Sequence, residues 1–282
     1  MSPRFSLVPI MDHEIHVTEW GDPAKPGLVM WHGLARTGRD FDELAAALSD
    51  NYFVICPDTL GRGFSSWAGT AETEYSVAYY AGIAADLLDH YGLETTCWLG
   101  TSMGGMIGMR LASGPQKDRV AGLIINDIGP EIPDPAIRRI LDYVGDLPRF
   151  DTLIRAESWL RETYRPFGPA TDDFWRRMTL SSARRNPDGS LTLHYDPRII
   201  LQFSQWPEEL TTWDRWDRIT APCHVFRGAE SDLLTREIAE RMAESGPRPE
   251  VTEVADCGHA PTLTRPGDIA QVREVLAGFR RP

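Results

Sequence analysis

Short, nearly continuous apolar runs alternate along this chain with segments whose apolar residues recur at helical spacing. That alternation restricts the chain to folds in which a mainly parallel sheet is covered by helices. The runs fall at residues 28–31, 52–56, 96–99, 120–125, 223–227 and 250–254, and their near-continuous apolarity fits strands buried on both faces. Helical spacing at 42–48, 77–90, 103–112, 235–244 and 268–279 supplies the covering helices. Two earlier runs, 5–9 and 15–20, read as short antiparallel strands. Between about Gly129 and Arg218 the alternation breaks, prolines separate short amphipathic segments, and no comparable apolar run occurs. This predicts a helical cap inserted at 129–218 into a core made of residues 1–128 and 219–282.

At 282 residues the chain buries one full core with room for one insertion. With 42% hydrophobic and 25% charged residues it has too much apolar surface to stay disordered. Its net charge of −12, with no Lys/Arg run, excludes nucleic acid as a natural partner, because phosphate binding would work against the overall field. Residues 1–16 include Arg4, Asp12, His13 and Glu14 and no long apolar stretch, and the run at 120–125 is far shorter than a membrane span. The expectation is a cytoplasmic protein with no membrane partner. Cys56, Cys97, Cys223 and Cys257 lack paired C-x-x-C spacing, so neither a zinc site nor a disulfide scaffold is indicated.

The chemistry centres on Gly100-Thr101-Ser102-Met103-Gly104, which follows one apolar run and precedes an apolar helical segment. Strand, sharp turn and helix are the context of a nucleophile elbow, where small residues let the backbone crowd around a raised serine hydroxyl at a helix N-terminus. A hydroxyl becomes nucleophilic only when a base takes its proton, which calls for a histidine and an orienting acid in the order Ser, Asp or Glu, His. Asp232, just past the run at 223–227, and His259, past the last run, supply them. Glu230 stands two residues from Asp232, and Asp127 follows the run at 120–125, so the acid has rival positions, with Asp232 preferred. All these loops leave the carboxyl edge of the sheet, where open α/β sheets bind ligands. An acyl-transfer site also needs preset donors for the oxyanion, and the backbone N–H groups of Met103 and Leu34 fit that need.

Taken in order, His32-Gly33, Asp58-x-x-Gly61-x-Gly63-x-Ser65, the Ser102 elbow, the Asp232 loop and Gly258-His259 resemble the serine-nucleophile branch of the α/β-hydrolase superfamily. The resemblance covers nearly the whole chain apart from 129–218. It implies a three-layer α/β fold with an eight-stranded sheet, a cap after the sixth strand, and catalytic roles for Ser102, Asp232 and His259 with Leu34 and Met103 as oxyanion donors. Two departures narrow it. Ser102 stands where haloalkane dehalogenases and epoxide hydrolases carry aspartate, and the HGGG loop of one lipase and esterase branch is missing.

Other residues are weaker candidates. His32 reads as a loop-shaping residue that also borders the substrate site, and Asp58 as the tie of its turn. Arg36 adjoins the oxyanion loop and is a candidate partner for a substrate carboxylate. Trp159, Trp175, Trp206, Trp213 and Trp216, five of the nine tryptophans, fall within 129–218; Trp159 and Trp206 are the candidates for lining an apolar pocket. The expected reaction is hydrolysis of a small or medium carboxylic ester or lactone through an acyl-enzyme, with no metal or cofactor required. The alternatives are C–C bond hydrolysis beside a ketone, which a carboxylate-binding Arg36 would favour, acyl transfer with the same machinery, and a ligand sensor that keeps the pocket with little turnover.

Overall fold

The computed structural model describes residues 2–279, so residue 1 and residues 280–282 of the expected core lie outside the described residues. Among the described residues ten strands run in the order β1 (Arg4–Ile10), β2 (His13–Trp20), β3 (Gly27–Trp31), β4 (Phe53–Pro57), β5 (Thr96–Thr101), β6 (Val120–Asn126), β7 (Ala183–Arg185), β8 (Leu191–Leu193), β9 (Cys223–Gly228) and β10 (Glu250–Val254). Eight of them form one sheet in the spatial order β1-β2-β4-β3-β5-β6-β9-β10. β1 pairs antiparallel with β2, and β2 with β4; every other pairing in this sheet is parallel. Each apolar run read from the sequence is one of these strands, with ends differing by no more than two residues.

The helices between and after the strands are α1 (Asp42–Leu48), α2 (Ala71–Glu74), α3 (Val77–His90), α4 (Met103–Ser113), α5 (Asp134–Val144), α6 (Leu153–Thr163), α7 (Asp172–Ser182), α8 (Leu201–Gln205), α9 (Trp213–Trp216), α10 (Arg236–Glu244) and α11 (Pro266–Gly278). Alternate residues of the central strands enter two separate cores because successive side chains of a strand point to opposite faces. Val29, Trp31, Ile55, Trp98, Leu123 and Ile125 pack with Ile83 of α3 and Ile107 of α4. Leu28, Met30, Val54, Leu99, Ile124 and Phe226 pack with Leu44 and Leu48 of α1 and Val272 and Leu276 of α11. The result is the expected three-layer α/β arrangement. Burial on both faces explains why these strands show no polar alternation in the sequence.

The segment between β6 and β9 carries α5 to α9, and one correction to an all-helical insertion. β7 and β8 form an antiparallel hairpin, with Ala183 opposite Leu193 and Arg185 opposite Leu191. Its three-residue strands are too short to register as apolar runs, although Asn186-Pro187-Asp188-Gly189 between them is a turn-forming sequence. Gly189 takes φ 86°, and Asn186 N–H donates to the Ser190 carbonyl at 2.7 Å. The segment is tied to the core through α7: Arg177 reaches Glu43 at 2.8 and 2.7 Å, and Arg36 donates to Ser182 Oγ at 2.9 Å.

Candidate active site

β5 delivers Ser102 to the turn before α4 with φ 52° and ψ −118°, a backbone conformation that L residues rarely adopt. The crowding that forces small residues here is measurable. A Cβ on Gly100 would lie 2.2 Å from the Gly104 carbonyl carbon, and one on Gly104 would lie 2.0 Å from the Trp31 carbonyl oxygen. The turn therefore holds the serine up while α4 packs directly against β3 and β5.

His259, on the loop after β10, is buried and places Nε2 3.0 Å from Ser102 Oγ. Its Nδ1 lies 2.8 Å from Oδ2 of Asp127, the residue that follows β6. A carboxylate at Nδ1 keeps the proton on that nitrogen and leaves Nε2 to accept from the serine hydroxyl. Asp127 is fully buried with φ 60°. Its carboxylate also accepts from Gly228 N–H at 2.7 Å, Ser231 Oγ at 2.7 Å and Ala260 N–H at 3.1 Å. A buried carboxylate is tolerable only when its lone pairs are met in this way.

The acid position is a correction. Asp232, preferred on the sequence, does not face His259; its side chain is 51% exposed and makes a two-pronged ion pair with Arg139 of α5 at 2.7 and 2.9 Å. The reason is the local path of the chain. Asp127 follows β6 immediately and its positive φ turns the carboxylate toward the His259 loop, whereas Asp232 sits four residues beyond the end of β9. In the β9 loop it is Ser231 that reaches the site.

Ser231 and Asn126 are the residues that the sequence reading missed. Asn126 donates from Nδ2 to Thr101 Oγ1 at 3.0 Å and to the Pro261 carbonyl at 2.9 Å, and its own carbonyl accepts from Ser102 N–H at 2.9 Å. It thereby fastens the elbow to the histidine loop. A polar residue closing an otherwise apolar strand run just before an aspartate was the only signal available.

Leu34 lines the same cavity as Ser102, and Met103 is the first residue of α4, where backbone N–H groups have no acceptor within the helix. His32 also borders the cavity, but both of its nitrogens are committed: Nδ1 donates to the Gly33 carbonyl at 2.7 Å and Nε2 accepts from Thr59 N–H at 2.8 Å. Burial lowers its pKa to about 4, so it stays neutral and braces the loop instead of binding substrate through a polar atom. Asp58 accepts from Gly38 N–H at 2.8 Å and Phe64 N–H at 3.1 Å and contacts His16 Nδ1 at 2.8 Å, tying its turn.

The cavity above Ser102 measures about 60 Å³. Its apolar wall includes Phe41, Ile140, Phe167, Phe174 and Ala260, with Tyr143 and Tyr164 beside them. Trp159 and Trp206 are not in this wall, a second correction: Trp159 packs against Phe150 and Tyr164, and Trp206 against the core. Phenylalanines and tyrosines of the 129–218 segment take the lining role. Arg36 does border the cavity, but it is buried and grips Asp40 with Nε and Nη2 at 2.8 and 2.6 Å. Burial alone would lower its pKa, yet the Asp40 carboxylate more than offsets this and raises it. Its charge is thus already paired, so Arg36 gives no added support to the C–C hydrolase alternative that a carboxylate-binding Arg36 would have favoured.

Residues 28–272 match the sequence model of the Alpha/beta hydrolase family. The chain belongs to this family. It is 40% identical to the 3-hydroxybutyrate-oligomer hydrolase of Cupriavidus necator, over 98% of this chain and 99% of that one. Among solved structures, a Rickettsia typhi protein superposes with a TM-score of 0.88 at 30% identity, covering 99% of this chain and 97% of the other. An alpha/beta hydrolase of Novosphingobium aromaticivorans superposes with a TM-score of 0.85, also at 30% identity, with 98% and 99% covered. The family and the full-length likeness to a hydrolase make hydrolysis the coarse function of this family member. No helix among its described residues is long and apolar enough to cross a membrane.

Proposed function

We propose that this protein is a serine hydrolase that cleaves short-chain carboxylic esters through an acyl-enzyme. The observation that carries the reading is the unbroken hydrogen-bonded series from Ser102 Oγ through His259 to the buried Asp127, with separations of 3.0 and 2.8 Å. In this reading His259 removes the Ser102 proton as the oxygen attacks the ester carbonyl, and Asp127 holds the imidazole in its reactive tautomer and stabilises its charged form. The N–H groups of Leu34 and Met103 receive the oxyanion. His259 then passes its proton to the leaving alkoxide, and later activates the water that releases the acid.

Cavity size supports a small acyl group. A cavity of about 60 Å³ is less than half of the roughly 150 Å³ that accommodates benzene. The likeness to a 3-hydroxybutyrate-oligomer hydrolase points the same way, toward esters of a short hydroxy acid. The 129–218 segment acts in this reading as the cap that supplies Ile140, Tyr143, Tyr164, Phe167 and Phe174 to the pocket.

Hydrolysis of a p-nitrophenyl ester series from acetate to laurate, with Ser102→Ala alongside, tests the proposal. Turnover that falls at least about a thousandfold in the variant, and peaks at short acyl chains, is expected. A folded wild-type protein inert toward the whole series, or a variant that keeps its turnover, would overturn it.

A further inference from the structure

The ion pair lining the cavity is that of Arg36 and Asp40, which neutralise each other. Arg36 is the more buried, its side chain 5% exposed against 16% for Asp40. Its Nη1 is taken by Ser182 Oγ, and its guanidinium carbon lies 4.9 Å from the Tyr164 ring centre. Asp40 accepts two N–H bonds from Arg36. A carboxylate has about four lone-pair positions, so Asp40 keeps acceptor capacity toward the cavity.

The other polar side chains of this wall are otherwise engaged. His32 is committed as described, Thr101 Oγ1 accepts from Asn126, Thr262 Oγ1 contacts Thr264 Oγ1 at 2.9 Å, and the Tyr164 and Tyr143 hydroxyls are paired with Arg36 and Arg139. The stem of Arg36 also runs past the reacting serine. A methyl placed on Gly33 would stand 3.5 Å from Ser102 Cβ and 3.9 Å from Arg36 Cγ. Asp40 and Ser102 border the same small cavity, so an acyl chain carried on Ser102 extends into the space that Asp40 lines.

These observations decide what kind of group fits. A free substrate carboxylate would meet the Asp40 charge with no uncompensated cation beside it. An ammonium would compete with Arg36 for a carboxylate already paired. A neutral hydrogen-bond donor meets neither penalty, and an apolar group would leave the exposed edge of Asp40 desolvated and unpaired. We infer that Asp40, held in place by Arg36, is a specificity residue that accepts a hydrogen bond from a hydroxyl on the acyl chain of the substrate, selecting 3-hydroxyacyl esters. The inference rests on the serine ester-hydrolase reading and adds the group that the acyl pocket recognises.

The test compares methyl 3-hydroxybutyrate with methyl 3-methylbutyrate, in which a methyl of similar size replaces the hydroxyl, by following acid release at constant pH. Wild type should favour the hydroxy ester at least tenfold in kcat/KM, and Asp40→Asn should lower that ratio at least fivefold. A wild-type ratio near one overturns the inference while leaving ester hydrolysis standing, and it needs no variant to fold. A folded Asp40→Asn that keeps the full ratio also overturns it. Turnover of neither ester, nor of the p-nitrophenyl series, would bring down the ester-hydrolase reading and this inference with it.

Discussion

Two aspartates compete for one role, and burial separates them. Asp127 is fully buried against His259 with three further donors, whereas Asp232 is half exposed and paired with Arg139. Asp127→Asn replaces the carboxylate with an amide that cannot hold the same tautomer, so kcat should fall by about 10³ to 10⁴. Asp232→Asn should change kcat less than about threefold and stability by no more than about 1 kcal/mol, because an exposed ion pair contributes little. Ester turnover and urea unfolding of the two variants side by side check the assignment. A silent Asp127→Asn together with an inactive Asp232→Asn would restore the sequence-based choice.

Among the elements, the junction of β5, β6 and the loop after β10 is where geometry is set. Ser102, Asp127 and Ala260 all have positive φ, at 52°, 60° and 66°. Such strained conformations persist only where surrounding contacts over-determine them, and Asn126 makes the cross-link between the elbow and the histidine loop. Asn126→Ala should lower kcat by about tenfold or more with little change in KM, since a small displacement of a positioned base is costly. Steady-state kinetics with p-nitrophenyl butyrate separates this from a loss of substrate binding, which would raise KM instead. Gly104→Ala should be harsher. Its Cβ meets backbone at 2.0 Å, so β3 and α4 must part, at a cost of about 3 kcal/mol or more. Chemical denaturation gives the value, and a variant as stable as wild type would contradict the packing described.

For the molecule as a whole, His32 couples stability to pH. It is buried and its pKa drops from an ordinary 6.5 to about 4, chiefly because burial penalises the charged form. Above pH 6.5 both folded and unfolded chains hold it neutral, and the fold loses nothing there. As pH falls through 6.5 the unfolded chain takes up a proton that the folded chain refuses, so stability declines until about pH 4. At about 1.4 kcal/mol per unit of pKa, the loss from this residue reaches about 3 to 4 kcal/mol. Urea unfolding at pH 7 and pH 4.5 should show the decline, and His32→Gln should show a smaller difference between the two pH values.

What was legible in the sequence follows from local physics. Period and apolarity located the eight sheet strands and the main helices, because a doubly covered strand must be apolar throughout and a covering helix must repeat at its own pitch. Ser102 and His259 were legible because a glycine-flanked serine between a strand and a helix, and a histidine after the last strand, carry their context with them. The carboxylate beside His259 was not, because Asp127 and Asp232 both follow strands whose carboxyl ends meet at one edge. Only the turn at Asp127 and the placement of Ser231 decide which carboxylate meets the imidazole. The same holds for the pocket. Composition marks 129–218 as rich in aromatics, but which rings face Ser102, and that Arg36 is already bound to Asp40, depend on how that segment packs across the sheet edge. Contacts between residues far apart in the chain are settled by shape and burial, and these exist only once the chain has folded.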